Sequence, residues 1–552
     1  MRPLLPTRFS RRSGRQTPIG VGCAALLLAL VLAAPAGAGS WPGSQPSGPH
    51  VLRVGTWRGV PGDFQSIQAA VDAAQPGDWI LVGPGDYHEQ GDRVHAPSDE
   101  AGGGVLVTTP RIHLRGMARN DVVVDGTRPG APRCSSDPAD QDLGPLDGWG
   151  QPYGRNGVLV FKTDGVSVEN LTACNFVAGA YGGGNQIWFN GGDGSGTIGM
   201  GRYSGAYLSA TSTYWEAGKP QGEYGIFVSN ARGPGRIVHT YASNMADSSY
   251  YIGACPDCNA WLLDAHAQNS ALGYSGTNSG GHLVVGFSEW DHNKTGISTN
   301  SQNNDDAPPP QDGSCPDGQA GIFGTGSCTY FIGNWIHDNN NPNVPGSGTA
   351  DLGPVGTGMI VSGGRHDTIV GNRVERNGSW GVLLAPFPDT GTPPPIAHCE
   401  GGVQNPGGFL GLLGVTCFFD DFGNDVRSNF FRDNGTFGNQ TNGDLGDISG
   451  QNDPGNCWHG NVDPDGITSA PADLQSTNGQ CGVPNHGADI LSSLAVEVIC
   501  ASQVFGPCQA VNGPGYPQRT QVSLLPLPPQ RSMPDPCEGV PTNPWCPRGR
   551  GR

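Results

Sequence analysis

The chain has 552 residues, 48 of them acidic and 30 basic, for a formal charge of −18. That balance excludes a nucleic-acid binder, which works through basic patches, and it disfavours polyanionic sugars unless a divalent cation bridges them. With 90 Gly and 48 Pro the chain is dense in turns, yet it keeps a regular apolar pattern between them, which excludes wholesale disorder.

Residues 1–38 read as an export signal: Arg2, Arg8, Arg11, Arg12 and Arg15 precede an apolar core over 19–34, and Ala36-Gly37-Ala38 offers a small-residue cleavage site. No other stretch reaches the ~18 apolar residues of a membrane span. The expectation is a secreted, extracellular protein with no membrane anchor. Removing five arginines leaves 25 basic against 48 acidic residues, a mature charge of −23. Residues 39–62 read as a linker.

Next comes "GDFQSIQAAVDAAQPGDWILVGPGDYHEQ" (62–90). Phe64, Ile67, Ala70, Val71 and Ala74 recur at helical spacing, and Gln75-Pro76-Gly77 stops the run, predicting a helix over 64–75. From there to residue 465 the chain repeats itself. Seven segments end on an asparagine: Asn175, Asn244, Asn269, Asn293, Asn339, Asn377 and Asn434, with a small polar group five residues earlier in nearly every copy. The spacing is 25 and 24 residues where copies adjoin, and 69 between Asn175 and Asn244, close to three periods. The apolar pieces are four to six residues long, such as "GVLVF" and "GMIV", so each copy is made of short strands and turns. Such a unit buries its inner face only by stacking on its neighbours. The asparagines then form a column at a tight turn, where Asn tolerates the left-handed conformation and its amide bonds the coils above and below.

Over residues 63–465 the chain resembles the right-handed parallel β-helix repeat proteins, the pectate-lyase-like superfamily, and its opening is similar to pectin-esterase-like β-helices. The resemblance implies an all-β solenoid with a capping helix, directed at extracellular polysaccharide as a lyase or a glycoside hydrolase. Active-site motifs of the pectin esterases, the mannuronan epimerases and the polygalacturonases are missing. A non-catalytic glycan-binding or cell-surface β-helix is the alternative.

Counting back from each asparagine, the third position (Thr172, Tyr241, His266, Trp290, Ile336, Val374, Phe431) reads as inward, and positions two and four as outward. Stacking would gather Glu289, Asp291, Trp335, His337, Arg373, Glu375, Phe430 and Arg432 on one exposed patch. There Glu289, Asp291, His337, Arg373 and Glu375 are the candidate catalytic groups, while Trp335, Phe430 and Arg432 would bind substrate. This is the mixture a sugar site needs: a ring to stack on, acids for proton transfer and cations for uronate charge. Two insertions, 297–330 and 386–420, would border the patch. The first carries Asp305-Asp306, which resembles the paired aspartates of polygalacturonase-type hydrolases and equally suits calcium.

Setting aside Cys23, 14 of the 15 cysteines remain, an even number suited to an oxidising compartment. Neighbours suggest Cys255–Cys258, Cys315–Cys328, Cys399–Cys417, Cys457–Cys481, Cys500–Cys508 and Cys537–Cys546, leaving Cys134–Cys174. Residues 466–552 form a Cys- and Pro-rich end, with a loosely packed tail over the last ~40 residues. A monomer is expected, with an extracellular glycan as its partner.

Overall fold

The computed structural model describes residues 48–90, 101–303, 309–390, 398–401, 414–450, 453–503 and 511–547. Asp305, Asp306, Cys508 and the expected export signal lie outside them. From Pro49 onward the chain is one compact unit.

Most coils contribute two strands, or one long strand such as Gly235–Ser243 or Ala260–Gln268, to a 20-stranded sheet, here sheet I, and one strand to an 11-stranded sheet, sheet II. Neighbouring coils pair in parallel throughout both sheets. The result is a right-handed parallel β-helix, the hand that parallel crossovers impose. One coil shows the path: Asp367–Val370, a bend at Gly371, Arg373–Glu375, a turn at Arg376-Asn377, then Trp380–Ala385 in sheet II.

The interior is one column per strand position. In sheet I, Ala173, Ala242 and Ala267 stack under Trp290, Ile336, Val374 and Phe431, all fully buried. In sheet II, Ile226, Tyr250, Tyr274, Ile297, Met359 and Val382 do the same. Small residues in the early coils and large ones later fill a cross-section of changing shape.

The asparagine ladder exists, and its backbone cause differs along the chain. Asn175, Asn244 and Asn269 take positive φ of 57°, 65° and 53°, as the turn column requires. From the next coil on, that left-handed position belongs to the residue before the asparagine: His292, Asp338, Arg376 and Asp433, with φ of 53–54°. His266 pairs with Glu289 and Gln268 with Asp291, so the sequence alignment between the Asn269 and Asn293 copies is off by one residue. The shifted asparagines turn their amides along the stack: Asn293 donates to Asn339, Asn339 to Asn377 and Asn377 to Asn434, at 3.1, 3.2 and 3.2 Å. A second ladder at the bend joins Asn334, Asn372, Asn429 and Asn461.

Several boundaries move. The solenoid opens earlier than residue 63, because Val51–Val54 pairs with Trp79–Val82. The capping helix is Ile67–Ala73, shorter than 64–75. Ser66 caps it, the Glu89 carboxylate takes the orphan Ile67 N–H at 2.5 Å, and Phe64 bridges to Val54 instead of continuing the helix. Between Asn175 and Asn244 there is one intervening coil, with Ser209–Thr211, and the long spacing comes from inserted loops. Six of the expected disulfides are present, from Cys134–Cys174 to Cys537–Cys546.

The Pro-rich end is not a loose tail. It runs back along the solenoid as a strap, tied by side-chain amides. Asn269 donates to the Ser523 carbonyl, Asn244 both donates to and accepts from Leu525, Asn120 does the same with Gln530, and Asn170 accepts from the Met533 N–H. Trp545 closes it, donating to the Val60 carbonyl beside Leu81 and Met117. No helix among the described residues is long and apolar enough to cross a membrane.

Candidate functional sites

The sheet I strands bring the predicted columns into register. Glu289, Trp335, Arg373 and Phe430 align in one, and Asp291, His337, Glu375 and Arg432 in the next. The one-residue slip adds His266 at the head of the first column and Gln268 at the head of the second. Tyr241 and His266, read as inward from the sequence, therefore face outward while Ala242 and Ala267 fill the core.

The patch is less open than expected. Asp291, His337 and Glu375 are buried, because longer neighbours fold over them. Glu375 is 0% exposed, held by Arg373 Nε at 2.8 Å, Arg376 Nη1 at 3.2 Å and Trp335 Nε1 at 3.3 Å. The Trp335 ring stacks on His337 with centroids 3.8 Å apart, under the Arg373 guanidinium. His337 reaches Glu289 Oε1 at 3.2 Å and Asp338 Oδ2 at 2.8 Å. Asp291 accepts from His266 at 2.6 Å, from Gln268 at 2.7 Å and from His292. Burial opposes the charged form of Asp291, Asp338 and Glu375, yet hydrogen bonds from His266, Arg376 and Arg373 respectively outweigh it and hold all three below the usual carboxylate range. These groups stand as ionised hydrogen-bond and ion-pair partners. Arg432 lies over Phe430 at 5.2 Å at the patch's end.

A second site lies on the outer face of sheet II. In its last coils Ile360, Trp380 and Leu383 are covered by the helix Ser493–Ala501. Earlier coils carry Trp188, Phe227 and Tyr251 in one register column, followed by Ser275 and Ser298. Phe227 stacks on Trp188 at 5.0 Å and on Tyr224 at 4.3 Å, nearly parallel to both, and meets Tyr251 edge-on. Two cavities of about 600 and 380 Å³ share Tyr224, Phe227 and Tyr251 and form one groove. Asn156, Asn185 and Asn190 line one end, and Thr277, Asn300 and Gln302 the other. Described residues of the 386–420 insertion, Pro386 and Phe418 among them, border this groove. Among the described residues, no Arg, Lys or His lines it.

Two carboxyls sit at its edge on adjacent coils, where the Asp247 N–H donates to the Glu223 carbonyl at 3.0 Å. Burial pushes Glu223 up to about 7, against a hydrogen bond from Ser347. Burial likewise pushes Asp247 up to about 6, against the 2.8 Å bond from the Tyr224 hydroxyl. Counting from the asparagines missed this groove because the count stopped at the turn. Trp188, Phe227 and Tyr251 share one register column, but Trp188 follows Asn175 by 13 residues and Tyr251 follows Asn244 by 7, so counting alone does not stack them.

No family model and no curated protein matches the sequence. Solved structures similar to it include pectate lyase Pel9A, at 12% identity over 81% of this chain and 90% of that one, TM-score 0.35. Others are a mannuronic-acid-specific polysaccharide family 6 lyase from human gut microbiota (14%, 75% and 82%, 0.36) and a GH87 α-1,3-glucanase from Streptomyces thermodiastaticus (11%, 79% and 72%, 0.34). The likeness is one of fold alone.

Proposed function

We propose that the protein binds and hydrolyses an uncharged extracellular polysaccharide in the sheet II groove, with Glu223 as proton donor and Asp247 as its carboxylate partner. One observation carries this reading: two carboxyls at the edge of an aromatic floor, raised to about 7 and about 6. Burial raises both, so that near neutral pH the pair can keep a proton to donate, as glycoside hydrolysis needs. Sugar rings stack their C–H faces on aromatic planes while amides and hydroxyls take their OH groups, and Trp188, Asn185 and Asn300 supply both. The absence of cationic side chains among the described residues of the groove, on a chain of net charge −18, favours a neutral glycan over a uronate. The disulfides favour an extracellular setting.

The test is reducing-end release from a panel of neutral and uronate polysaccharides. Neutral substrates are expected to be cut, with a bell-shaped pH profile whose limbs fall near about 6 and about 7. Glu223→Gln should lower kcat ~10²-fold or more without lowering the melting temperature. Release only from uronates, or undiminished release by the variant, would overturn the assignment. Tight glycan binding with no release would reject hydrolysis in favour of a non-catalytic binding groove.

A further inference from the structure

We infer that the sheet I columns form a binding site for a divalent transition-metal ion, with His266, Glu289 and Asp291 as ligands and His337 as the fourth. His266 Nε2 and one carboxylate oxygen each from Glu289 and Asp291 all lie within 4.8 Å of one another. His266 Nε2 is 2.6 Å from Asp291 Oδ1 and 3.9 Å from Glu289 Oε2, and His337 Nε2 is 3.2 Å from the other Glu289 oxygen. Ligands bonded at about 2.0–2.2 Å around a tetrahedral ion stand roughly 3.5 Å apart, so small side-chain shifts let His266, Glu289 and Asp291 seat one, and His337 adjoins that set through Glu289. Two imidazoles and two carboxylates suit zinc and its neighbours, whereas calcium takes oxygen ligands.

The surroundings are those of a held ligand set. His337 uses its other nitrogen, Nδ1, on Asp338 at 2.8 Å, and Arg376 grips Asp338 at 2.6 Å. A carboxylate behind an imidazole fixes the ring and leaves its far nitrogen free for a metal. Gln268 steadies the second Asp291 oxygen at 2.7 Å. A cavity of about 600 Å³ lined by His239, His266, Glu289 and Trp335 gives access. The four ligands come from three successive coils, so the ion would cross-link the stack. The site lies on the sheet opposite the groove and is independent of the glycan assignment.

The test uses the full chain, without a purification tag, stripped with chelator and titrated calorimetrically with zinc chloride and, separately, calcium chloride. Zinc is expected to bind saturably at one equivalent, and calcium not at all. His266→Gln and Glu289→Gln should each weaken zinc at least tenfold. Asp338→Asn, acting through His337 as a positioning residue, should weaken it about 10–100-fold. Far-UV circular dichroism confirms that each variant folds, and zinc should raise the melting temperature of the parent but not of the His266→Gln/Glu289→Gln double variant. Failure of zinc to saturate, calcium binding equally well, or undiminished zinc binding by the double variant would overturn the site. The last outcome would place the ion elsewhere, for instance at His459 and Asp425. Loss of hydrolysis bears only on the groove, and loss of zinc binding only on this site.

Discussion

At the scale of single residues, burial decides what each polar group does. Asn372 shows the cost of removing one. Its Oδ1 accepts from both the backbone and the side chain of Asn334, at 2.9 and 3.0 Å, and its Nδ2 donates to the Phe331 carbonyl. Asn372→Ala would orphan buried groups of Asn334 and Phe331 on the preceding coil and should destabilise by about 1–3 kcal/mol, read from chemical denaturation. A loss below ~0.5 kcal/mol would mean that water or a shifted backbone replaces the bonds. The ladder was legible because a repeated asparagine at fixed spacing has few other causes. The slip at Asn293 was not, because Asn serves both the left-handed turn position and the ladder position one residue later. Only the tertiary register separates the two. Glu375 was legible as a column member but not as a buried one. The arginines that cover it, Arg373 and Arg376, are 53% and 40% exposed at their side chains and reach inward from the surface.

At the scale of elements, the strap changes how the turn asparagines are understood. Asn120, Asn170, Asn244 and Asn269 face the strap, where each amide meets a main-chain group as a neighbouring strand would. Proline cannot donate to a ladder, so a chain such as "LLPLPPQ" (524–530) docks through its few free N–H groups. Asn244→Ala removes two bonds to Leu525, one each to Ser212 and Thr211, and the one it accepts from Asn269. It should cost about 1–2 kcal/mol and make the Leu525 amide exchange faster in hydrogen-exchange measurements. Unchanged exchange there would show that packing alone holds the strap. Composition marked this segment as proline-rich, but composition carries no information about which surface waits for it. The Cys457–Cys481 pair was legible because 24 residues make one coil. Closing a loop of that length stabilises by about 3 kcal/mol in the chain-entropy picture, so the Cys457→Ser/Cys481→Ser variant should unfold at correspondingly lower denaturant.

At the scale of the whole molecule, the fold sorts its titratable groups into two opposed sets, and the balance sets the stability profile. Burial raises Asp367 to about 8, Glu223 to about 7 and Asp247 to about 6, and bonds to carboxylates raise His292 and His337 against their burial in the case of His337. Each of these binds its proton more tightly folded than unfolded. Its contribution is complete below the unfolded pKa, near 4 for the acids and 6.5 for the histidines, and is lost as pH rises through the folded value. Asp291, Asp338 and Glu375 have the opposite sign, contributing above pH ~4 and losing that contribution as pH falls. The melting temperature should therefore peak on the mildly acid side, between pH ~4 and ~6, and fall steadily toward pH 9. Asp367 is the group to test. Its side chain is fully buried, with Oδ1 accepting from Gln311 at 2.9 Å and Oδ2 without a partner. Asp367→Asn keeps the Gln311 bond and removes the charge. The variant should match the parent near pH 5 and melt higher than it at pH 8–9. A parent whose melting temperature still climbs from pH 6 to 8, or a variant no more stable than the parent at pH 9, would show that Asp367 ionises in the folded chain without cost.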